Sequence, residues 1–402
     1  MQRALLPLLV LSPGLLAIDI RTDFEGGSLG RIEKVTSTHY RLGAKGEKDQ
    51  DGRNRQANWY YFRVENAPKG ELILDIVDLP GEYNYLPNRG AITADTPPVI
   101  SNDGVTWKHI DTFEYDAAEP KLRLRIKPSA PTFWIAHCPP YTNATLGRLR
   151  AELSPHPDFH EEVAGKTVGG RDIVLWTITH PSTLPRKTVW LMFRQHSWES
   201  GSSWVAEGAL RFLLGKTVEA RTLREQLIWK IFPLCDPDGV ARGGVRFNTN
   251  GYDLNRNWDT IDPMRMPEIA AQRAAVESWL KAGHSVDVFL SLHNTETSEY
   301  LEGPPDQEKH RALSERLYRS LSETTSFAPT RPLFFAATTT TAGKPGRMTV
   351  SQGLSSSFGI AAFIMEQRVS MNPKLGHLPE VADRLRFGSE LVRALANAVT
   401  IR

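Results

Sequence analysis

The stretch FRQHSWESGSSWVAEGAL, residues 193–210, sets His196 and Glu199 three positions apart directly after an apolar run. A histidine and a glutamate so spaced at the mouth of a helix can converge on one metal ion. His293 closes a second apolar run, VDVFLSLH. Two imidazoles and one carboxylate form a His2Glu set with one coordination position left open, the ligand class of zinc-assisted hydrolysis. Taken singly the signals are weak: His-x-x-Glu recurs by chance, and a lone histidine at a strand end is more often simply hydrogen-bonded. Glu366 closes a third run, GIAAFIME, either as a surface ion-pair partner or as a base that is not itself a ligand. The segment DPDGVARGGVRFNTNGYDLNRNW, residues 236–258, offers Arg242, Arg246 and Arg256, with Asn255 beside the last. Guanidinium forks grip carboxylates and polarise carbonyl oxygens, although a solvated basic loop would carry the same residues. Phe247, Tyr252 and Trp258 within it speak against plain disorder.

Such groups need a scaffold. Open α/β sheets present chemistry beyond the carboxyl ends of their strands. KTVWLMFRQ, LIWKIFPLCD, VDVFLSLH and GIAAFIMEQ are near-continuous apolar runs of strand length, as expected of parallel strands buried on both faces. Between them, SSWVAEGALRFLLGK, PEIAAQRAAVESWLKA, EKHRALSERLYRSLSET and PEVADRLRFGSELVRALANAV repeat apolar residues at helical spacing. The alternation predicts a catalytic α/β domain over residues 151–402, a mixed, largely parallel sheet flanked by helices. Residues 18–150 read instead as an all-β sandwich, from short alternating runs such as GELILDIVDL and KLRLRIKP between turn clusters. PPYTNATLGRLRAELSPHPDF reads as the linker between the two. Residues 1–17, with one basic residue and then a leucine-rich stretch, fit a signal peptide, which would direct the chain to the periplasm or outside the cell; the alternative is a first buried strand of a cytoplasmic chain.

Composition narrows the partners. Of 402 residues, Lys and Arg number 48 and Asp and Glu 46, for a formal net charge of +2. That balance gives no footprint for nucleic acid, and no run of residues is long enough to span a bilayer. Cys138 and Cys235 stand far apart, and both are expected as buried free thiols. Any metal must therefore sit on histidine and carboxylate.

In order and spacing, RQHSWESGSSWVAEG, DPDGV, GYDLNRNW, SLH and FIME resemble the zinc carboxypeptidases of the funnelin type. The β-rich segment in front is similar to that of the cytosolic-carboxypeptidase branch. The resemblance implies one zinc ion on His196, Glu199 and His293, and Glu366 as general acid/base. It also implies Arg246 against the scissile carbonyl, and Asn255 with Arg256 on the substrate's C-terminal carboxylate. The implied substrates are the C-termini of peptides or proteins. Arg347 stands near the position of an arginine that selects acidic C-terminal residues in glutamate-removing relatives. The sole tyrosine between Leu301 and Met365 is Tyr318, in a helical segment, so no phenol is expected from that loop. Trp198 replaces a small residue and is expected to narrow the rim of the cleft. Two competing functions share these features: a zinc deacylase of N-acyl amino acids, and an inactive peptide-binding protein.

Overall fold

The computed structural model describes residues 17–83, 85–183, 185–340 and 345–400. The residues read as a leader lie outside these, Ala17 excepted.

Two five-stranded sheets face each other in the N-terminal part. One orders its strands Asp19–Arg21, Tyr61–Glu65, Phe133–Ala136, Val99–Ser101 and Lys108–His109; the other runs Phe113–Asp116, Lys121–Ile126, Leu72–Val77, His39–Gly43 and Ile32–Thr36. Alternation explains the sandwich: in KLRLRI, Leu122, Leu124 and Ile126 are buried while Lys121, Arg123 and Arg125 stay partly solvated. All pairings in these two sheets are antiparallel except His39–Gly43 against Leu72–Val77. A small four-stranded sheet, Glu47–Lys48, Arg55–Gln56, Gly81–Tyr83 and Leu86–Asn88, projects from the sandwich.

The segment read as a linker contains helix α1 (Asn143–Leu153), capped by the Thr142 hydroxyl. An eight-stranded mixed sheet follows, ordered Phe159–Lys166, Asp172–Ile178, Leu227–Phe232, Lys187–Phe193, Val288–Thr295, Ala362–Arg368, Tyr300–Gly303 and Phe334–Phe335. Its four central strands are the four apolar runs, and they pair in parallel. Residues of one strand go to two different cores: Val189, Leu191 and Phe193 join one cluster, Trp190 and Met192 the other. This two-sided burial is why those runs do not alternate with polar residues. The remaining helices are α2 (Ser200–Leu213), α3 (Val218–Gln226), α4 (Pro237–Ala241), α5 (Pro267–Lys281), α6 (Gln307–Ser322), α7 (Val350–Phe358) and α8 (Val381–Thr400). No helix among the described residues is long and apolar enough to cross a membrane.

Candidate active site

Parity along the central strands aligns two of the chemical groups. Phe289 and Ile364 face the same core, so Ser291 and His293, two and four residues after Phe289, and Glu366, two after Ile364, share that face. His293 and Glu366 are register partners across the parallel pair. Both strands continue two residues past these positions, to Thr295 and Arg368, so neither group is the last of its strand as the sequence suggested.

His196 and Glu199 come from the turn between Lys187–Phe193 and α2. Arg194, with φ 61°, takes the left-handed conformation there, strain that ordinary residues avoid and functional turns tolerate. Its buried guanidinium holds the turn, donating to the Ser197 carbonyl at 2.9 and 2.6 Å and to Ser203 Oγ at 3.1 Å. Glu199 occupies the N-cap of α2, yet its carboxylate caps no helical amide. It turns instead to both imidazoles, 2.6 Å from His196 Nδ1 and 2.9 Å from His293 Nδ1.

The far ring nitrogens are occupied elsewhere. His196 Nε2 donates to Asp253 Oδ1 at 3.0 Å, and His293 Nε2 lies 3.0 Å from both Gln195 Oε1 and Ser291 Oγ. Partners at Nε2 orient each ring with Nδ1 towards Glu199, the arrangement a metal-ligating histidine needs. One ligand atom from each of the three residues lies within 4.8 Å of the others, and all three side chains are buried. Donor type, number and spacing fit a zinc ion.

Burial pushes the Glu199 carboxyl up, but His196 and His293 overrule it and hold its pKa at about 2. Glu366 has the opposite balance: burial, joined by repulsion from Glu199, pushes its carboxyl well above the usual range, and Arg246 only partly opposes this. Glu366 Oε2 is buried with no hydrogen-bond partner among the described residues. Asp253 ties the groups together, accepting from His196 through Oδ1 and from Arg246 Nε through Oδ2 at 2.8 Å. Burial works against its charge, and Arg246 and His196 nevertheless keep it ionised far below the usual range.

Two adjoining cavities open on this centre. One of about 280 Å³ is lined by Glu199, Glu366, Arg246 and Glu296 on the catalytic side. The other, of about 310 Å³, is lined by Arg246, Arg256 and Arg347, with Arg53 facing them from the N-terminal part. Gln56 and Tyr83, also N-terminal, line both. The Arg347 guanidinium is shifted below its ordinary value by burial and then by the neighbouring Arg256 and Arg53 cations.

Asn255 departs from expectation: its side chain is not on the wall of either cavity. Its Oδ1 accepts the Val350 amide at the start of α7 at 3.0 Å, and its backbone carbonyl accepts from Arg256 Nη1 at 2.7 Å. Asn255 is buried, with its Nδ2 3.4 Å from His293 Nε2, so its side chain packs between His293 and α7 and only its backbone meets Arg256. Trp198 reaches the cavity wall, but with 2% exposure its bulk fills the seam with Trp59, Tyr61 and Val245 instead of narrowing a rim. Tyr318 packs against Phe327, away from the centre. Cys138 and Cys235 are buried and free. The sequence reading missed Asp253, Gln195, Ser291 and the N-terminal wall. Ser291 had a signal, since it lies two residues before His293 and must share its face.

An α/β sheet with a buried His2Glu cluster and a carboxylate aligned beside it defines the scaffold of a metallohydrolase. The zinc carboxypeptidase family model matches residues 149–344, and that of the cytosolic carboxypeptidase N-terminal domain matches residues 20–137. The chain belongs to the zinc carboxypeptidase family, with the N-terminal domain of the cytosolic carboxypeptidases in front. It is 31% identical over 308 residues to cytosolic carboxypeptidase 6 of Caenorhabditis elegans, covering 72% of this chain and 66% of that one. It is 26% identical over 296 residues to cytosolic carboxypeptidase 3 of Bos taurus, covering 69% of this chain. The chain thus spans 66% and 29% of the lengths of these two relatives. In fold it matches a metallo-carboxypeptidase from Burkholderia cenocepacia, with TM-score 0.79 and 22% identity over 96% of this chain and 99% of that one. A metallo-carboxypeptidase from Pseudomonas aeruginosa gives TM-score 0.79 and 24% identity over 94% and 98%.

Proposed function

We propose that the protein is a zinc-dependent carboxypeptidase that removes the C-terminal residue of peptides, preferring Glu or Asp. The observation that carries this reading is the alignment of Glu366 with His293, beside a ligand set whose Nδ1 atoms both face Glu199. A zinc ion on His196, Glu199 and His293 supplies Lewis acidity when bound. Glu366, desolvated and unpartnered at Oε2, takes the proton from the attacking water and returns it to the departing amine. Arg246, fixed through Nε by Asp253, turns its remaining donors to the carbonyl oxygen as negative charge develops there. Arg256, anchored on Asn255, takes the terminal carboxylate and makes the cleavage exopeptidic. Arg347 and Arg53 line the same cavity and leave cationic surface for a second carboxylate, that of an acidic side chain.

A panel of peptides differing only at the C-terminal residue, read by mass spectrometry with and without chelator, tests the proposal. Single-residue loss, fastest from Glu and Asp and abolished by chelation or C-terminal amidation, is expected. Cleavage of N-acyl amino acids in preference to peptides contradicts it. Export is part of the same proposal: the mass of the purified chain is expected to lack the residues read as a leader, and retention of Met1 contradicts export.

A further inference from the structure

One carboxylate of the N-terminal part reaches into the loop that carries Arg246. Glu47 stands in the strand Glu47–Lys48 with 12% of its side chain exposed. Its Oε2 accepts three successive backbone amides, from Val245 at 3.1 Å, Arg246 at 2.6 Å and Phe247 at 2.8 Å. Its Oε1 receives Arg242, which also donates to the Phe247 carbonyl. Successive amides turned to one point form a nest for an anion, and here the anion belongs to a residue 200 positions away along the chain. On its other side the same segment is held at the Val245 carbonyl, which accepts from the Trp198 amide at 2.9 Å. A third contact brings the two backbones together: the Gln50 amide donates to the Gly251 carbonyl at 3.1 Å. Gly251 has φ +84°, and a Cβ there would lie 2.7 Å from the Gln50 nitrogen.

We infer that Glu47 is a positioning residue for Arg246, so that the N-terminal domain completes the catalytic site rather than merely adjoining it. Among the described residues the Arg246 side chain has one hydrogen-bonded anchor, Asp253, at Nε. Its guanidinium is therefore aimed by that contact and by the backbone it leaves from, and Glu47 fixes the backbone. A donor that stabilises a transition state must be held within about half an ångström of its productive place. Loosening three amides at its root affects the transition state more than the bound ground state, so the loss falls on kcat. The inference rests on the proposed carboxypeptidase reading for what Arg246 does, and on geometry alone for how it is held.

The test uses the full chain as Glu47→Gln, Glu47→Ala, Arg246→Ala and the double variant Glu47→Ala/Arg246→Ala. Steady-state kinetics on a peptide the parent cleaves, zinc per chain and hydrogen exchange of residues 245–247 are read together. Glu47→Ala is expected to lower kcat about 10- to 100-fold, a fraction of what losing an oxyanion donor outright costs. KM is expected to stay within about threefold, zinc content to stay unchanged and the three amides to exchange faster. Glu47→Gln, which keeps one acceptor oxygen, is expected to fall between. The double variant is expected to be no slower than Arg246→Ala alone. Additive losses in the double variant overturn the inference, and so does an unchanged kcat in folded Glu47→Ala. Should Glu47→Ala not fold, Glu47→Gln and its double with Arg246→Ala decide by the same criteria. Should the parent cleave no peptide, the carboxypeptidase reading fails by itself. The exchange of the three amides then still decides whether Glu47 holds this segment, unchanged protection overturning it.

Discussion

Glu199 and Glu366 line one cavity and meet opposite fates. Both are penalised by burial, but Glu199 faces two imidazoles and stays an anion, whereas Glu366 faces Glu199 and is pushed towards holding a proton. What each faces suits one to ligate a metal and the other to act as the proposed base. Glu366→Gln keeps shape and removes the base: kcat is expected to fall about 10²- to 10⁴-fold, with zinc content and melting temperature retained; near-parental turnover contradicts the assignment. Arg347→Ala is expected to cut kcat/KM for C-terminal Glu about 10- to 100-fold, the worth of one charged hydrogen bond, and to leave apolar C-terminal residues little changed. Equal loss for both classes contradicts a role in side-chain selection. His196, Glu199, His293 and Glu366 were legible because apolar runs deliver them. Asp253 was not legible, because an aspartate inside GYDLNRNW looks like turn chemistry until His196 Nε2 and Arg246 Nε are seen on its two oxygens.

At the scale of elements, the candidate ligand Glu199 occupies the N-cap of α2, and the placement of α2 depends on α8. The two helices cross at glycines: a Cβ on Gly208 would lie 2.0 Å from the Leu385 carbonyl oxygen, and one on Gly388 would lie 2.2 Å from that of Val205. Backbone cannot yield there as a flexible side chain would. Gly388→Ala is expected to destabilise the protein by about 1–3 kcal/mol through overpacking, measured by denaturant unfolding; a parental midpoint contradicts so close a crossing. The long helices and central strands were legible, since both patterns are set by burial. The outer strand FHEEVAGK is at least partly solvated at every position after Phe159, and α7 is the serine-rich VSQGLSSSF, which carries no long apolar stripe. What makes α7 a helix is its ends: a capping box between Thr349 and Gln352, and Gly359 at φ 63° closing it. Within the segment read as linker, helix α1 was not legible for the same reason, because it buries only Leu149 and Leu153.

For the whole molecule, the seam between the two parts is a structural feature that sequence could not reveal, because its contacts join residues some 200 positions apart. His137 lies in this seam between the rings of Tyr60 and Trp198, with neither ring nitrogen partnered among the described residues. Desolvation lowers its pKa from 6.5 to about 4. Between those values the unfolded chain binds a proton that the folded chain refuses, so stability is lost as pH falls through that window. The contribution is on the order of 3 kcal/mol. In His137→Phe this loss is absent, so the variant's unfolding free energy relative to the parent is expected to improve from pH 7 to about pH 4. A difference that does not vary with pH contradicts a neutral, buried His137. Parent, chelated parent and Glu366→Gln, each assayed for zinc per chain, are incubated with a peptide ending in Glu and followed by mass spectrometry. One zinc and loss of the terminal Glu are expected in the parent, no loss after chelation, and one zinc with cleavage slowed at least about 100-fold in Glu366→Gln. A folded parent that binds no zinc, or near-parental cleavage in Glu366→Gln, would contradict a zinc exopeptidase with Glu366 as its base.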